Sequence, residues 1–91
     1  MHKIGKHMTT ISKYDDGTAV TYHNTAVVVF NDDTITLNTG GWFSNTTKTR
    51  MNQASHQFDL GYYVFQRAGK WYVDAGVDRI PFDGNTVTIR R

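Results

Sequence analysis

Two stretches of the chain combine residue types that could hold a ligand. The first is Ser44-Asn45-Thr46-Thr47-Lys48-Thr49-Arg50-Met51-Asn52, preceded by Gly40-Gly41-Trp42-Phe43. It reads as a helix start, with Ser44, Thr46 and Thr47 each able to serve as the cap. Helix starts favour acidic residues, because their free N–H groups carry about half a positive charge. This one has no acid and carries Lys48 and Arg50 instead. Hydroxyls, free N–H groups and two cations suit a phosphate or carboxylate. Ser44, Thr46, Thr47, Lys48, Arg50 and Asn52 are therefore the expected anion or nucleic-acid ligands. The competing reading is an ordinary Ser/Thr-capped helix with solvated cations. The second stretch interleaves Tyr62, Tyr63, Phe65, Trp71 and Tyr72 with Arg67 and Lys70. A two-layer domain buries one face of a hairpin fully, yet here both faces carry rings. Exposed rings beside cations hold single-stranded nucleic acid, at about 1–3 kcal/mol per stacked base. They also anchor protein interfaces. Trp42, Tyr62, Arg67, Lys70 and Tyr72 are the expected aromatic-basic face, unless Trp42 and Phe43 or another strand covers it.

Catalysis finds less support. The chain has no cysteine, no G-x-S-x-G and no spacing that foretells a triad. Its histidines are His2, His7, His23 and His56, too scattered for a metal site. His23 beside Asn24 is half of a nuclease motif, and nothing completes it. Asp15-Asp16 and Asp32-Asp33 are read as turn formers, since Asp side chains bond their own backbone there. The expectation is a non-enzymatic binding protein with no cofactor and no metal.

The elements that must position these residues follow from periodicity. Strands are expected at 9–14, 18–22, 26–30 and 34–37, with Asp15-Asp16-Gly17 and Asn31-Asp32-Asp33 as turns. The apolar run at 26–30 suggests a central strand covered on both faces, and Ile35 and Leu37 face inward by period two. A helix is expected at 46–59 with Thr47, Met51, Ala54 and Phe58 as its apolar stripe, and with Gly61 as its left-handed end. Strands return at 62–67 and 70–74. Positive φ at Ala68 is unfavourable, so a three-residue loop with Gly69 as a bulge is expected between them. That register groups Tyr63, Phe65, Trp71 and Val73 on one face and Tyr62, Val64, Lys70 and Tyr72 on the other. The strands at 79–82 and 86–90 are expected to form a last hairpin, with Pro81 on an edge. The fold class is α+β: a small curved antiparallel sheet packed on a single helix, in the order strands, helix, strands.

Residues 1–8 are basic and lack an apolar segment, so they are read as a flexible tail or cloning remnant rather than a signal peptide. Residues 9–91 then form one domain. No apolar run approaches the roughly 18 residues that span a bilayer, so no membrane partner is expected. The net charge of +2 is far from that of a DNA-compacting protein.

The sequence Tyr22-His23-Asn24-Thr25, then Leu37, Gly40-Gly41-Trp42, Thr46-Thr47-Lys48-Thr49-Arg50-Met51-Asn52, Leu60-Gly61 and Trp71 resembles a family of small bacteriophage and prophage proteins. The family pattern runs YHxT, GGWxTxTTKxRMN, LG and W, and the likeness covers roughly residues 20 to 75. Phe43-Ser44 departs from it, standing where relatives have a basic residue and Thr. The resemblance implies a phage setting, and hence the cytoplasm of a bacterial host. Small phage proteins commonly bind nucleic acid or inhibit host systems. The expected partner is nucleic acid or a host nucleoprotein complex. The alternative is a protein-only inhibitor of host defence, of anti-CRISPR or another anti-defence type, or of host transcription.

Overall fold

The computed structural model describes residues 9–41, 43–82 and 84–91. The segment 1–8, expected as a tail, and Trp42, expected in the aromatic-basic face, lie outside the described residues. The elements run β1 (Thr9–Tyr14), β2 (Gly17–Tyr22), β3 (Thr25–Phe30), β4 (Thr34–Asn38), α1 (Asn45–Phe58), β5 (Tyr62–Arg67), β6 (Lys70–Ala75), β7 (Asp78–Pro81) and β8 (Thr86–Arg90). The α+β class and the strands–helix–strands order are as expected. The strands divide between two antiparallel sheets, one ordered β1-β2-β3-β4-β8 and one ordered β5-β6-β7.

The two sheets and the helix close on one core. The larger sheet contributes Val20, Val28, Ile35, Leu37 and Ile89, and α1 contributes Met51 and Ala54. The smaller sheet adds Tyr62, Val64, Trp71 and Val73. Ile35 and Leu37 point inward, as period two requires. β3 is central, but Val29 is 41% exposed, so one face of the larger sheet stays open where cover was expected. Of the helix stripe, Thr47, Met51 and Ala54 are fully buried, while Phe58 is half-buried against Phe30, with ring centroids 5.0 Å apart.

Ser44 caps the helix, its Oγ accepting from Thr47 N–H at 3.2 Å. At the other end Asp59, not Gly61, closes the helix in the left-handed conformation with φ 55°. The N–H groups of Asp59 and Leu60 both reach the Ser55 carbonyl. A single left-handed Asp is tolerable because its short side chain suits local hydrogen bonding. Gly40 has φ 61°, and a Cβ there would lie 2.6 Å from Thr25 Oγ1, so the loop before α1 needs glycine at this position.

Two expectations about pairing are corrected. Residues 79–82 and 86–90 do not form a hairpin. β7 pairs with β6, as at Val73↔Ile80, whereas β8 pairs with β4, as at Ile35↔Ile89. Between them Phe82 is buried and its N–H donates to the Trp71 carbonyl at 2.9 Å. Burying that ring carries the chain from one sheet to the other. Pro81 does sit on an edge strand, where its missing N–H goes unneeded.

The β5–β6 loop is the second correction. It has two residues, not three, with φ 52° at Ala68 and 78° at Gly69. Left-handed Ala68 costs about 1–2 kcal/mol. The two-residue turn matches the strand twist and sets Arg67 opposite Lys70. In that register Trp71 and Val73 face the core together with Tyr62 and Val64 of β5, a gain that exceeds the turn's strain.

Candidate nucleic-acid interface

The two-residue turn decides which hairpin residues look outward. Because side chains alternate, moving one strand by a residue exchanges its faces. Tyr62, Val64, Trp71 and Val73 point into the core. Tyr63, Phe65 and Tyr72 point away from it, with Tyr63 54% exposed. The pairing across three strands makes a grid of rows. Tyr63, Asp74 and Arg79 form one row, Phe65, Tyr72 and Pro81 the next, and Arg67 with Lys70 the row at the tip.

The rings and cations on this face touch. Tyr63 and Phe65 are near-parallel at 6.2 Å, and Phe65 and Tyr72 at 5.7 Å. The Arg79 guanidinium lies over Phe65 at 4.9 Å and bonds Asp74 through Nε at 2.8 Å and a terminal nitrogen at 3.3 Å. Those hydrogen bonds hold the Asp74 carboxyl below the usual carboxylate range. Exposed Arg67 and Lys70 complete a surface with three cations against one paired acid among the described residues.

Of the face expected from sequence, Arg67, Lys70 and Tyr72 lie here. Tyr62 does not: it is buried, its hydroxyl donating to the Met51 carbonyl at 2.6 Å, and burial pushes its phenol pKa upward. Trp71 is likewise only 5% exposed, packed edge-on against Phe43 and Phe82. Tyr63, Phe65 and Arg79 belong to the face and were missed. The alternation that would have found them is in the sequence, and the loop length misassigned it.

The six expected anion ligands do not converge. Lys48 and Arg50 are two residues apart, about 200° around a helix, and point to opposite flanks. Lys48 Nζ donates to Gln66 Oε1 at 3.0 Å and lies 5.3 Å from the Trp71 ring. Arg50 bonds Thr9 Oγ1 at 3.0 Å and Gln53 Oε1 at 3.2 Å, and lies over Tyr22. Thr47 is fully buried and shares a 3.0 Å hydroxyl contact with Ser44. Thr46 is exposed near Tyr22 and His23.

Asn52 has a structural task. Its amide nitrogen donates to the Val64 carbonyl at 2.9 Å, and its amide oxygen accepts the Val64 N–H at 2.7 Å. Ser55 does the same for Tyr62, at 2.7 and 3.1 Å. Lys48, Asn52 and Ser55 fall at i, i+4 and i+7, so one polar stripe of α1 lines up along β5. Asn52 and Ser55 satisfy the backbone groups of an edge strand that would otherwise lie unpaired.

The acidic turns lie elsewhere. Asp15, Asp16, Asp32 and Asp33 border one cleft with Arg91, whose guanidinium donates to the Asn31 carbonyl. Asn31 Oδ1 accepts the N–H groups of Asp33 and Thr34 at 2.8 Å each, so in this turn the backbone is bonded by the Asn31 side chain, where the Asp side chains were expected to do it. Among the described residues, no group of three His, Cys, Asp or Glu could hold a metal ion, and no helix is long and apolar enough to cross a membrane.

Compared with known sequences, residues 2–88 match the model of a family described as Kyanoviridae Gp96 protein. No curated protein and no solved structure matches the chain.

Proposed function

The chain belongs to the Kyanoviridae Gp96 family, a family of phage proteins, and on that premise we propose that it acts by binding, not catalysis, with single-stranded nucleic acid as its ligand. The observation that carries this reading is the outer face of β5–β6–β7. Three rings stand in contact there, flanked by Arg67, Lys70 and Arg79, and no described element lies over them. Bases stack on such rings whatever their identity, and cations follow the phosphates. The turns holding Asp15, Asp16, Asp32 and Asp33 border a separate cleft and do not oppose a polyanion at this face. A phage protein of this kind would meet its ligand in the host cytoplasm, free or within a host nucleoprotein complex.

The test is anisotropy of a labelled, unstructured oligonucleotide of about a dozen nucleotides at low salt, a site size typical of such proteins. Saturable binding is expected, and Tyr72→Ala should weaken it by about 1–3 kcal/mol without regard to sequence. A flat titration removes nucleic acid as the direct ligand. The same residue types also favour a second reading, a protein-only inhibitor of host defence or transcription, since Tyr and Arg dominate protein hot spots. A stoichiometric host protein retained from lysate after nuclease treatment, with no oligonucleotide binding, would select that reading.

A further inference from the structure

We propose that the groove between α1 and β5 is the channel for the sugar–phosphate backbone of the strand whose bases stack on the outer face. This deepens the nucleic-acid reading and rests on it. The groove holds about 370 Å³ and shares Tyr63 and Phe65 with the outer face, so a strand lying on the rings runs directly into it. Its other wall is the exposed side of the first helical turns, with Asn45, Lys48 and Thr49.

Three observations select a phosphodiester as the occupant. Among the described residues no acid lines the groove and Lys48 is its one cation, held at the β5 side by Gln66 Oε1 at 3.0 Å. Asn45 and Thr49 add neutral donors suited to phosphate oxygens. The Val64 backbone on this edge is already satisfied by Asn52, so the groove does not invite another β-strand there. The absence of acid from the first turn of α1 then has a reason. An acid at position 45 would face the phosphates, although it would help the helix itself. Arg50, on the opposite flank with Thr9 and Gln53, takes no part.

Labelled single-stranded oligonucleotide, titrated into the full chain and its variants over a range of salt, tests the channel. Asn45→Asp puts an acid in the groove from an exposed position in the first turn, where it favours the helix. It should melt no lower than the parent yet bind about tenfold or more weakly, by like-charge repulsion. Lys48→Gln should flatten the slope of log affinity against log salt by about 0.7, one single-strand phosphate contact. Arg50→Gln should leave that slope unchanged, and Lys48→Arg should restore it. Normal binding by Asn45→Asp and Lys48→Gln while Tyr72→Ala binds weakly overturns the channel and leaves the stacking face standing. Equal slopes in Lys48→Gln and Arg50→Gln overturn it too, reducing it to general charge. If the parent chain binds no oligonucleotide, the stacking face falls, and the channel with it.

Discussion

The two faces of the β5–β6 hairpin are built from the same kinds of residue and meet opposite fates. Tyr62 and Tyr63 are neighbours, yet one is 5% exposed and the other 54%. Trp71 and Tyr72 divide in the same way, one buried and the other half-buried. The inner face meets α1 and the larger sheet, and its one phenol finds the Met51 carbonyl. The outer face meets no described element, so its rings lean on one another and on Arg79. Aromatic type therefore says little about role in a small domain. Position relative to the covering layer decides whether a ring holds the fold or faces a partner.

Substituting across the hairpin should expose that division. Trp71→Ala removes a ring packed between Phe43 and Phe82 and should cost about 3–5 kcal/mol by denaturant unfolding. Tyr72→Ala on the outer face should cost no more than about 0.5–1.5 kcal/mol, the worth of its ring contacts. Comparable losses from both would mean that the outer face is packed as a core.

The helix seam comes next in size. Asn52→Ala leaves the Val64 N–H and carbonyl without their partner and should cost about 1–3 kcal/mol. Faster hydrogen exchange at the Val64 amide should accompany it. A slow Val64 amide in the variant would assign the sealing of that edge to something other than Asn52.

An effect as small as that of Tyr72→Ala belongs to the buried phenol. Tyr62→Phe deletes one hydrogen bond and should cost about 0.5–1.5 kcal/mol at neutral pH. Burial disfavours its phenolate, so the folded pKa lies above the ordinary 10.0. The associated stability is complete below pH 10 and falls as pH rises beyond it, by up to about 1.4 kcal/mol per unit. Unfolding measured between neutral and strongly alkaline pH should show this decline in the parent chain and less of it in Tyr62→Phe. Identical alkaline profiles would contradict a buried, protonated Tyr62.

What could be read from residue order was local. β-branched and aromatic runs with period two marked the eight strands to within about a residue, and the stripe from Thr47 marked the helix, with Ser44, Thr46 and Thr47 all left as possible caps. The divergence of Lys48 from Arg50 was legible too, because residues two apart on a helix never share a side. Other features depended on burial between segments distant in sequence. Phe82 had to enter the core before β7 and β8 could be assigned to different sheets. The strained turn at Ala68 is unfavourable locally and prevails because it sets Trp71 and Val73 on the same buried face as Tyr62 and Val64. Asn52 reads as a surface or ligand residue until β5 is laid against α1. Local propensity chooses the element, but the face it turns to solvent depends on which nonlocal surface buries the most apolar area.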